Sequence, residues 1–139
     1  MKKLQLRYFL LLLVMPLLLA SCGDDDDDDD KLSPNTSLLT AGVWTGNAVY
    51  VAGVDRTADF EAETGITLTE YTTTFDRDGT YNESYQGTTL IDGEWKFDDN
   101  ERTIVFDEGT DDEYSVSVTR LDEDELFYIQ DGAEFRFVR

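Results

Sequence analysis

The sequence LIDGEWKF, residues 90–97, alternates between two kinds of side chain, and this alternation decides the fold. From residue 91 onward the odd-numbered positions are apolar or glycine, whereas the even-numbered positions are charged. A period of two predicts a β-strand with one buried face and one solvated face. The stretch YSVSVTRL, residues 114–121, repeats the pattern with valines opposite serines.

Similar alternation recurs from residue 38 onward and predicts an all-β domain at 38–139. Turn sequences such as Asp131-Gly132 separate the strands, and Asp-Gly pairs favour tight hairpins. Strands joined by short turns form an antiparallel meander, which can close into an up-and-down barrel or fold as two packed sheets. We expect a small eight-stranded barrel. The predicted strands are 43–51, 66–75, 80–86, 90–97, 103–106, 114–121, 126–130 and 133–138.

One predicted connection is longer than the others. Residues 52–65 contain no clear strand pattern, and loops of this length within a compact domain are uncommon. The segment is either an irregular loop or a short helix lying over one end of the barrel, with Phe60 as its apolar anchor.

The N-terminus carries signals for export and anchoring. A basic start precedes an apolar run at 8–20, which is too short to span a bilayer as a helix and is typical of a signal peptide, here residues 1–21. The sequence Leu19-Ala20-Ser21-Cys22 resembles the bacterial lipobox. Because Cys22 is the only cysteine in the chain, we expect it to carry diacylglycerol and palmitate-type acyl chains. The alternative is an ordinary secretory signal with an incidental cysteine.

Seven consecutive aspartates, residues 24–30, follow Cys22 and Gly23. Such a run cannot pack, because its carboxylates repel one another, so residues 22–37 are predicted to form a flexible tether. Cysteine followed by acidic residues resembles the export signal of Bacteroidota-type surface lipoproteins. This resemblance implies a lipid anchor in the outer membrane facing the cell exterior; a plain solvated tether facing the periplasm is the alternative.

The charge and the residue types exclude several classes of function. The chain has 31 acidic and 11 basic residues and a net charge of −20, so we expect no nucleic-acid partner. It has no histidine, which removes Ser-His and Cys-His nucleophile pairs and His-ligated zinc sites. Asp76, Asp78 and Gly79 resemble the start of a calcium loop, but the glycine comes too early. We predict no catalytic residue, metal or cofactor, and no enzymatic activity.

Four short motifs resemble the lipocalin-like domains of bacterial lipoproteins. They are Gly42-Val43-Trp44, residues 75–81, Gly93-Glu94-Trp95 and the strand pair within 114–128, and the resemblance covers most of residues 38–139. In lipocalins a Gly-x-Trp opens the first strand, and an arginine near the last strand packs across that tryptophan. The resemblance therefore implies that Arg136 packs on Trp44, and that the barrel binds a small molecule noncovalently.

Two functions stay open for such a barrel, and the size of its interior distinguishes them. Many large rings fall on the predicted inner faces and favour a filled core, whereas Gly46 and Ala48 favour free space. An open barrel would bind a small hydrophobic or amphipathic ligand. A filled barrel would act as an interaction module, an accessory subunit or inhibitor that presents its loops and an acidic face to another surface protein.

One residue breaks the apolar pattern of the predicted inner face. Glu83 lies between Tyr81 and Tyr85, and an inward carboxylate is costly unless it is paired or wet. It could orient a ligand, bond to a tyrosine, lie near the barrel mouth or mark a wrong assignment of the face. The predicted ligand-binding wall consists of Trp44, Tyr50, Tyr81, Glu83, Tyr85 and Trp95.

Overall fold

The computed structural model describes residues 32–139. The predicted signal peptide, Cys22 and the aspartate run lie outside this part of the chain. The described part contains two helices, a single 3₁₀ turn at Leu68–Glu70 and nine strands in one antiparallel sheet. The helices are α1 (Pro34–Leu39) and α2 (Thr57–Thr64); the strands are β1 (Val43–Val51), β2 (Val54–Asp55), β3 (Tyr71–Phe75), β4 (Thr80–Tyr85), β5 (Thr88–Asp98), β6 (Thr103–Phe106), β7 (Tyr114–Leu121), β8 (Glu125–Gln130) and β9 (Ala133–Val138).

Strand β1 closes the sheet into a barrel. Its first half pairs with β3, with Trp44 opposite Thr73, and β1 also pairs with β9 over most of its length. The order from β3 to β9 follows the chain, so eight strands form an up-and-down barrel and the fold prediction is confirmed. The two-residue strand β2 pairs only with the end of β1 and was not predicted.

The predicted strand 66–75 is wrong in its first half. Only Tyr71–Phe75 is a strand, and residues 68–70 form the 3₁₀ turn. This turn packs directly on Gly46, where an added Cβ would lie 2.5 Å from the carbonyl oxygen of Leu68. The space expected beside Gly46 is therefore filled by backbone and does not belong to a cavity.

Helix α1 occupies residues that were predicted to belong to the tether. Ser33 caps it by accepting a hydrogen bond from the amide of Thr36 at 3.0 Å, and Pro34 fits the first helical turn. Leu39, the last residue of α1, is completely buried. The predicted tether is therefore too long by residues 34–37, which lie in α1; buried Leu39 and hydrogen bonds to the carbonyls of Leu38 and Leu39 hold this helix to the barrel.

Helix α2 lies within the long connection. It ends at Gly65, whose φ of 73° gives the left-handed C-terminal cap that glycine favours. Phe60 packs edge-on against Phe135 of β9, with ring centroids 5.7 Å apart. Of the two alternatives, the structure thus shows the short helix with Phe60 as its anchor.

Aromatic side chains fill one end of the barrel, which α1 closes. The Trp44 indole donates a hydrogen bond to the Leu39 carbonyl at 2.9 Å. The Arg139 guanidinium lies 4.1 Å from the centre of the Trp44 ring and donates to the Leu38 carbonyl at 2.9 Å. Arg139 therefore takes the position predicted for Arg136, which instead lies over the Tyr50 ring on the outer face of the barrel.

Candidate functional site

The other end of the barrel contains a cavity of about 300 Å³ that is partly open to solvent. The 3₁₀ turn, helix α2 and strands β3, β4, β5, β7, β8 and β9 contribute to its wall. Ile91 and Gln130 belong to the lining, and Ile91 is 45% exposed. Most of the remaining wall is apolar and consists of Phe60, Ile66, Leu68, Tyr128, Phe135 and Phe137.

Glu83 is the acidic side chain in this wall. Strand β4 alternates so that Tyr81 and Glu83 are buried in the barrel, and Glu83 is only 9% exposed. The Tyr71 hydroxyl of β3 donates to its Oε2, and the Tyr114 hydroxyl of β7 lies 3.5 Å from Oε1, at the outer limit of a hydrogen bond. The carboxyl group thus lies between two phenols that come from strands on opposite sides of the barrel, β3 and β7.

Burial controls the protonation of this cluster. Removal from water raises the pKa of Glu83 above its ordinary value, although the hydrogen bonds from Tyr71 and Tyr114 oppose the rise. Burial, reinforced by the charge of Glu83, raises the pKa values of the Tyr71 and Tyr114 hydroxyls well above the usual range of tyrosine. Both hydroxyls consequently keep their protons at physiological pH and act as donors to Glu83.

The lining of the cavity contains no lysine or arginine among residues 32–139. Asp107 lies near enough to Glu83 to raise its pKa further, and it brings a second negative charge. The cavity therefore combines a large apolar wall with one acidic group that the described side chains hydrogen-bond but do not neutralise.

A second hydrogen-bond network links Tyr81 of β4 to Asp107, which follows β6. The Tyr81 hydroxyl donates to Asp107 Oδ2 at 2.8 Å, and Oδ1 of Asp107 accepts from the amide of Glu94 at 3.0 Å. A Cβ on Gly93 would overlap the Asp107 carboxylate, so only glycine leaves room for it there. This network fixes Tyr81 as part of the core.

The structure divides the six predicted wall residues among three places. Glu83 lines the cavity, and the hydroxyl of Tyr85 lies at the same end, where it accepts from the Thr67 amide at 3.3 Å. Trp44, Tyr81 and Trp95 are buried in the aromatic cluster of the filled end. The Trp95 indole donates there to the Asp76 carbonyl at 3.0 Å.

Tyr50 is the sixth predicted residue, and its placement on the inner face is wrong. A β-bulge between Gly46 and Ala48 shifts the alternation of β1, so that Val49 is buried and Tyr50 faces outward. Its ring lies 3.8 Å below the Arg136 guanidinium.

Sequence reasoning did not assign the two tyrosines that bond Glu83 to the site. Neither Tyr71 nor Tyr114 was among the six residues of the predicted ligand-binding wall. The signal for Tyr71 was present, because it lies two residues before the buried Thr73 and four before the buried Phe75. Positions at this spacing share one face of a strand.

Within residues 32–139, no three His, Cys, Asp or Glu side chains come together in an arrangement that could hold a metal ion. In the same range, no helix is both long enough and apolar enough to cross a membrane.

Comparison with known proteins supports the fold. No family model and no curated protein matches the chain. A DUF4847 family protein from Bacteroides vulgatus has a similar structure, with a TM-score of 0.53 and 17% identity over 73% of this chain and 94% of that chain. A lipocalin-like protein from Bacteroides uniformis has a TM-score of 0.52 and 13% identity over 72% of this chain and 97% of that chain. At these identities the likeness shows a lipocalin-like barrel and nothing finer.

Proposed function

We propose that this chain is a lipid-anchored surface protein whose barrel binds one small amphipathic molecule noncovalently. The observation that carries the binding role is the cavity of about 300 Å³ at one end of an otherwise filled barrel. This volume is at the lower limit of typical ligand pockets, which favours a compact ligand over a long lipid. The proposal includes no chemical transformation.

The chemistry of the wall supports an amphipathic ligand rather than a purely apolar one. Phe60, Phe135 and Phe137 offer apolar surface, which favours the transfer of a hydrocarbon or ring from water. Glu83 and the hydroxyls of Tyr71 and Tyr114 offer hydrogen bonds at one place in the same cavity. A few convergent polar groups in an apolar pocket are typical of sites that orient a small molecule.

The location is proposed from the sequence of the N-terminal region. The lipobox-like residues 19–22 support acylation of Cys22, and the acidic run after them supports export to the outer face of the outer membrane. Incorporation of labelled palmitate by the native protein, and its loss in Cys22→Ser, would test the anchor. Digestion of the domain by protease added to intact cells is the expected result for surface exposure, and full protection would contradict it.

The binding role can be tested with N-phenyl-1-naphthylamine, whose fluorescence rises in apolar surroundings. We expect saturable binding to the native protein and a loss of at least tenfold in affinity for Gln130→Trp, because Gln130 belongs to the cavity lining. The matched control is Ile129→Trp, which places the same indole at the neighbouring position on the exposed outer face.

Two results would contradict the binding role. One is the absence of saturable probe binding, and the other is equal affinity in Gln130→Trp and Ile129→Trp. Either result would favour the alternative function, an interaction module that uses its outer surface and loops.

A further inference from the structure

We infer that the ligand of the cavity carries a protonated amine, which pairs with Glu83 while an apolar body fills the rest of the space. This inference rests on the proposed function, since it names the chemical class of the ligand for the same cavity. It assigns Glu83 as the residue that selects a cationic group over a neutral or anionic one.

The hydrogen bonds around Glu83 favour its role as an acceptor. The hydroxyls of Tyr71 and Tyr114 approach different oxygens of the same carboxyl group. An ionised carboxyl group is an acceptor only, with about four acceptor positions, so two phenols leave capacity for a further donor. Because Glu83 also lines the cavity, a bound ligand is placed to supply that donor.

The described side chains that line the cavity include no positive charge. Within residues 32–139 the lining contains no lysine or arginine that could balance Glu83. A buried carboxylate without a cation is unfavourable, and a cationic ligand would remove that penalty on binding. The ligand amine would then take the position that a basic side chain takes in an ordinary buried ion pair.

The rings of the wall add to the preference for a cation. Tyr71, Tyr114 and Tyr128 line the same cavity as Glu83, and aromatic faces attract ammonium groups. A carboxylate surrounded by aromatic rings is thus suited to an amine attached to an apolar body.

An anionic ligand would meet repulsion from two groups. Its carboxylate would approach Glu83, and Asp107 is near enough to act on the same region electrostatically. Like charges at short distance in a poorly hydrated site disfavour binding strongly. Ordinary fatty acids are therefore expected to be poor ligands.

Three probes with the same apolar chain and different head groups test this inference: octylamine, 1-octanol and octanoate. Calorimetric titration of the native protein at pH 7.5 should show the tightest binding for octylamine, at least tenfold weaker binding for octanol and no measurable binding for octanoate. In Glu83→Gln the advantage of octylamine over octanol should fall to less than threefold, while octanol binding persists.

Glu123→Gln is the matched control, because it removes one negative charge from an exposed turn between β7 and β8. It should keep the native preference for octylamine. If Glu83→Gln does not fold, Tyr114→Phe provides a second variant. It removes a hydrogen bond that favours the ionised form of Glu83, so the advantage of octylamine over octanol should fall. An unchanged advantage in this variant would overturn the inference.

The outcomes separate the inference from the proposed function. Octanol or octanoate binding to the native protein as tightly as octylamine would overturn the inference and leave a ligand-binding cavity in place. Loss of the amine preference in Glu123→Gln to the same extent as in Glu83→Gln would also overturn it, because overall charge would then explain the selectivity. Binding of none of the three probes, with saturable N-phenyl-1-naphthylamine binding intact, would overturn the inference alone; loss of both kinds of binding would overturn the proposed function as well.

Discussion

At the scale of single residues, Glu83 links protonation to stability. Burial raises its pKa in the folded protein, so the folded state holds this proton more tightly than the unfolded state. The contribution of Glu83 to the free energy of unfolding is therefore greatest below its ordinary pKa of 4.5 and is lost as the pH rises through the raised value. The groups that act on the pKa of Glu83 are Tyr71, Tyr114 and Asp107. Burial raises the pKa of the four tyrosines near it, Tyr71, Tyr81, Tyr114 and Tyr128, so they remain neutral over this pH range.

The corresponding prediction compares Glu83→Gln with the native protein by urea unfolding at pH 4.5 and pH 8. Glutamine has no proton to lose, so the native protein should lose stability relative to the variant on going from pH 4.5 to pH 8. Other carboxylates titrate equally in both proteins, and their contribution cancels in the difference. The raised pKa of Glu83 would be contradicted if the difference in unfolding free energy between the two proteins stayed constant with pH. It would also be contradicted if the native protein gained stability relative to the variant at pH 8.

The sequence identified Glu83 as unusual but could not identify its partners. A carboxylate within an apolar alternation is visible in one strand, whereas the phenols that bond it come from β3 and β7. Tyr71 is 12 residues away and Tyr114 is 31 residues away. Their positions depend on strand register and barrel closure, which a single sequence specifies only weakly.

At the scale of elements, β1 shows how one irregularity alters a site. The bounds of β1 were predicted as Val43–Val51, and the structure has the same bounds. The bulge within it was not predicted, and a one-residue shift turns every later side chain to the other face. Tyr50 therefore does not line the barrel interior as predicted, although the bounds of its strand were predicted correctly.

Gly46 next to that bulge gives a prediction about packing between elements. In Gly46→Ala the new Cβ would lie 2.5 Å from the Leu68 carbonyl oxygen, so the backbone of β1 or of the 3₁₀ turn must move. We expect a loss of about 1–3 kcal/mol in the free energy of unfolding, as for other overpacked sites.

The control for this substitution is Gly42→Ala, measured in the same urea titration. Its new Cβ would lie 3.4 Å from the flexible side chain of Arg139, so the loss should be much smaller. Equal losses of unfolding free energy in the two variants would mean that the close contact with Leu68 is not the cause of the destabilisation in Gly46→Ala. Because Leu68 also lines the cavity, probe binding should weaken in Gly46→Ala more than in Gly42→Ala.

At the scale of the whole molecule, negative charge opposes compaction. The chain has 31 acidic residues against 11 basic ones, and the ion pairs of the described domain, such as Arg56 with Asp59, lie on its surface. Exposed pairs of this kind contribute little, whereas repulsion among many like charges destabilises the compact state. Charge composition thus predicted a solvated acidic surface but carried no information about the single carboxylate inside.

This repulsion predicts that salt stabilises the protein. Raising NaCl from 20 to 500 mM should raise the midpoint of thermal unfolding by several degrees, because screening weakens repulsion between exposed charges. A triple variant, Asp111→Asn, Asp112→Asn and Glu123→Gln, removes three exposed charges and should show a smaller response. A midpoint that falls with NaCl in the native protein would contradict this account.

The contact between Arg139 and α1 joins segments that are far apart in the chain, and it therefore affects the order in which the barrel folds. Arg139 donates to the carbonyl of Leu38, 101 positions earlier, and β9 pairs with β1 along the same seam. Pairing of such distant segments is slow to form, since a large loop must close first. A circular permutant that joins residue 139 to residue 33 by a short linker, and opens the exposed turn at Asp131-Gly132, should keep the same fold. It would turn the β1–β9 seam into a local contact and make β8–β9 the last seam to close.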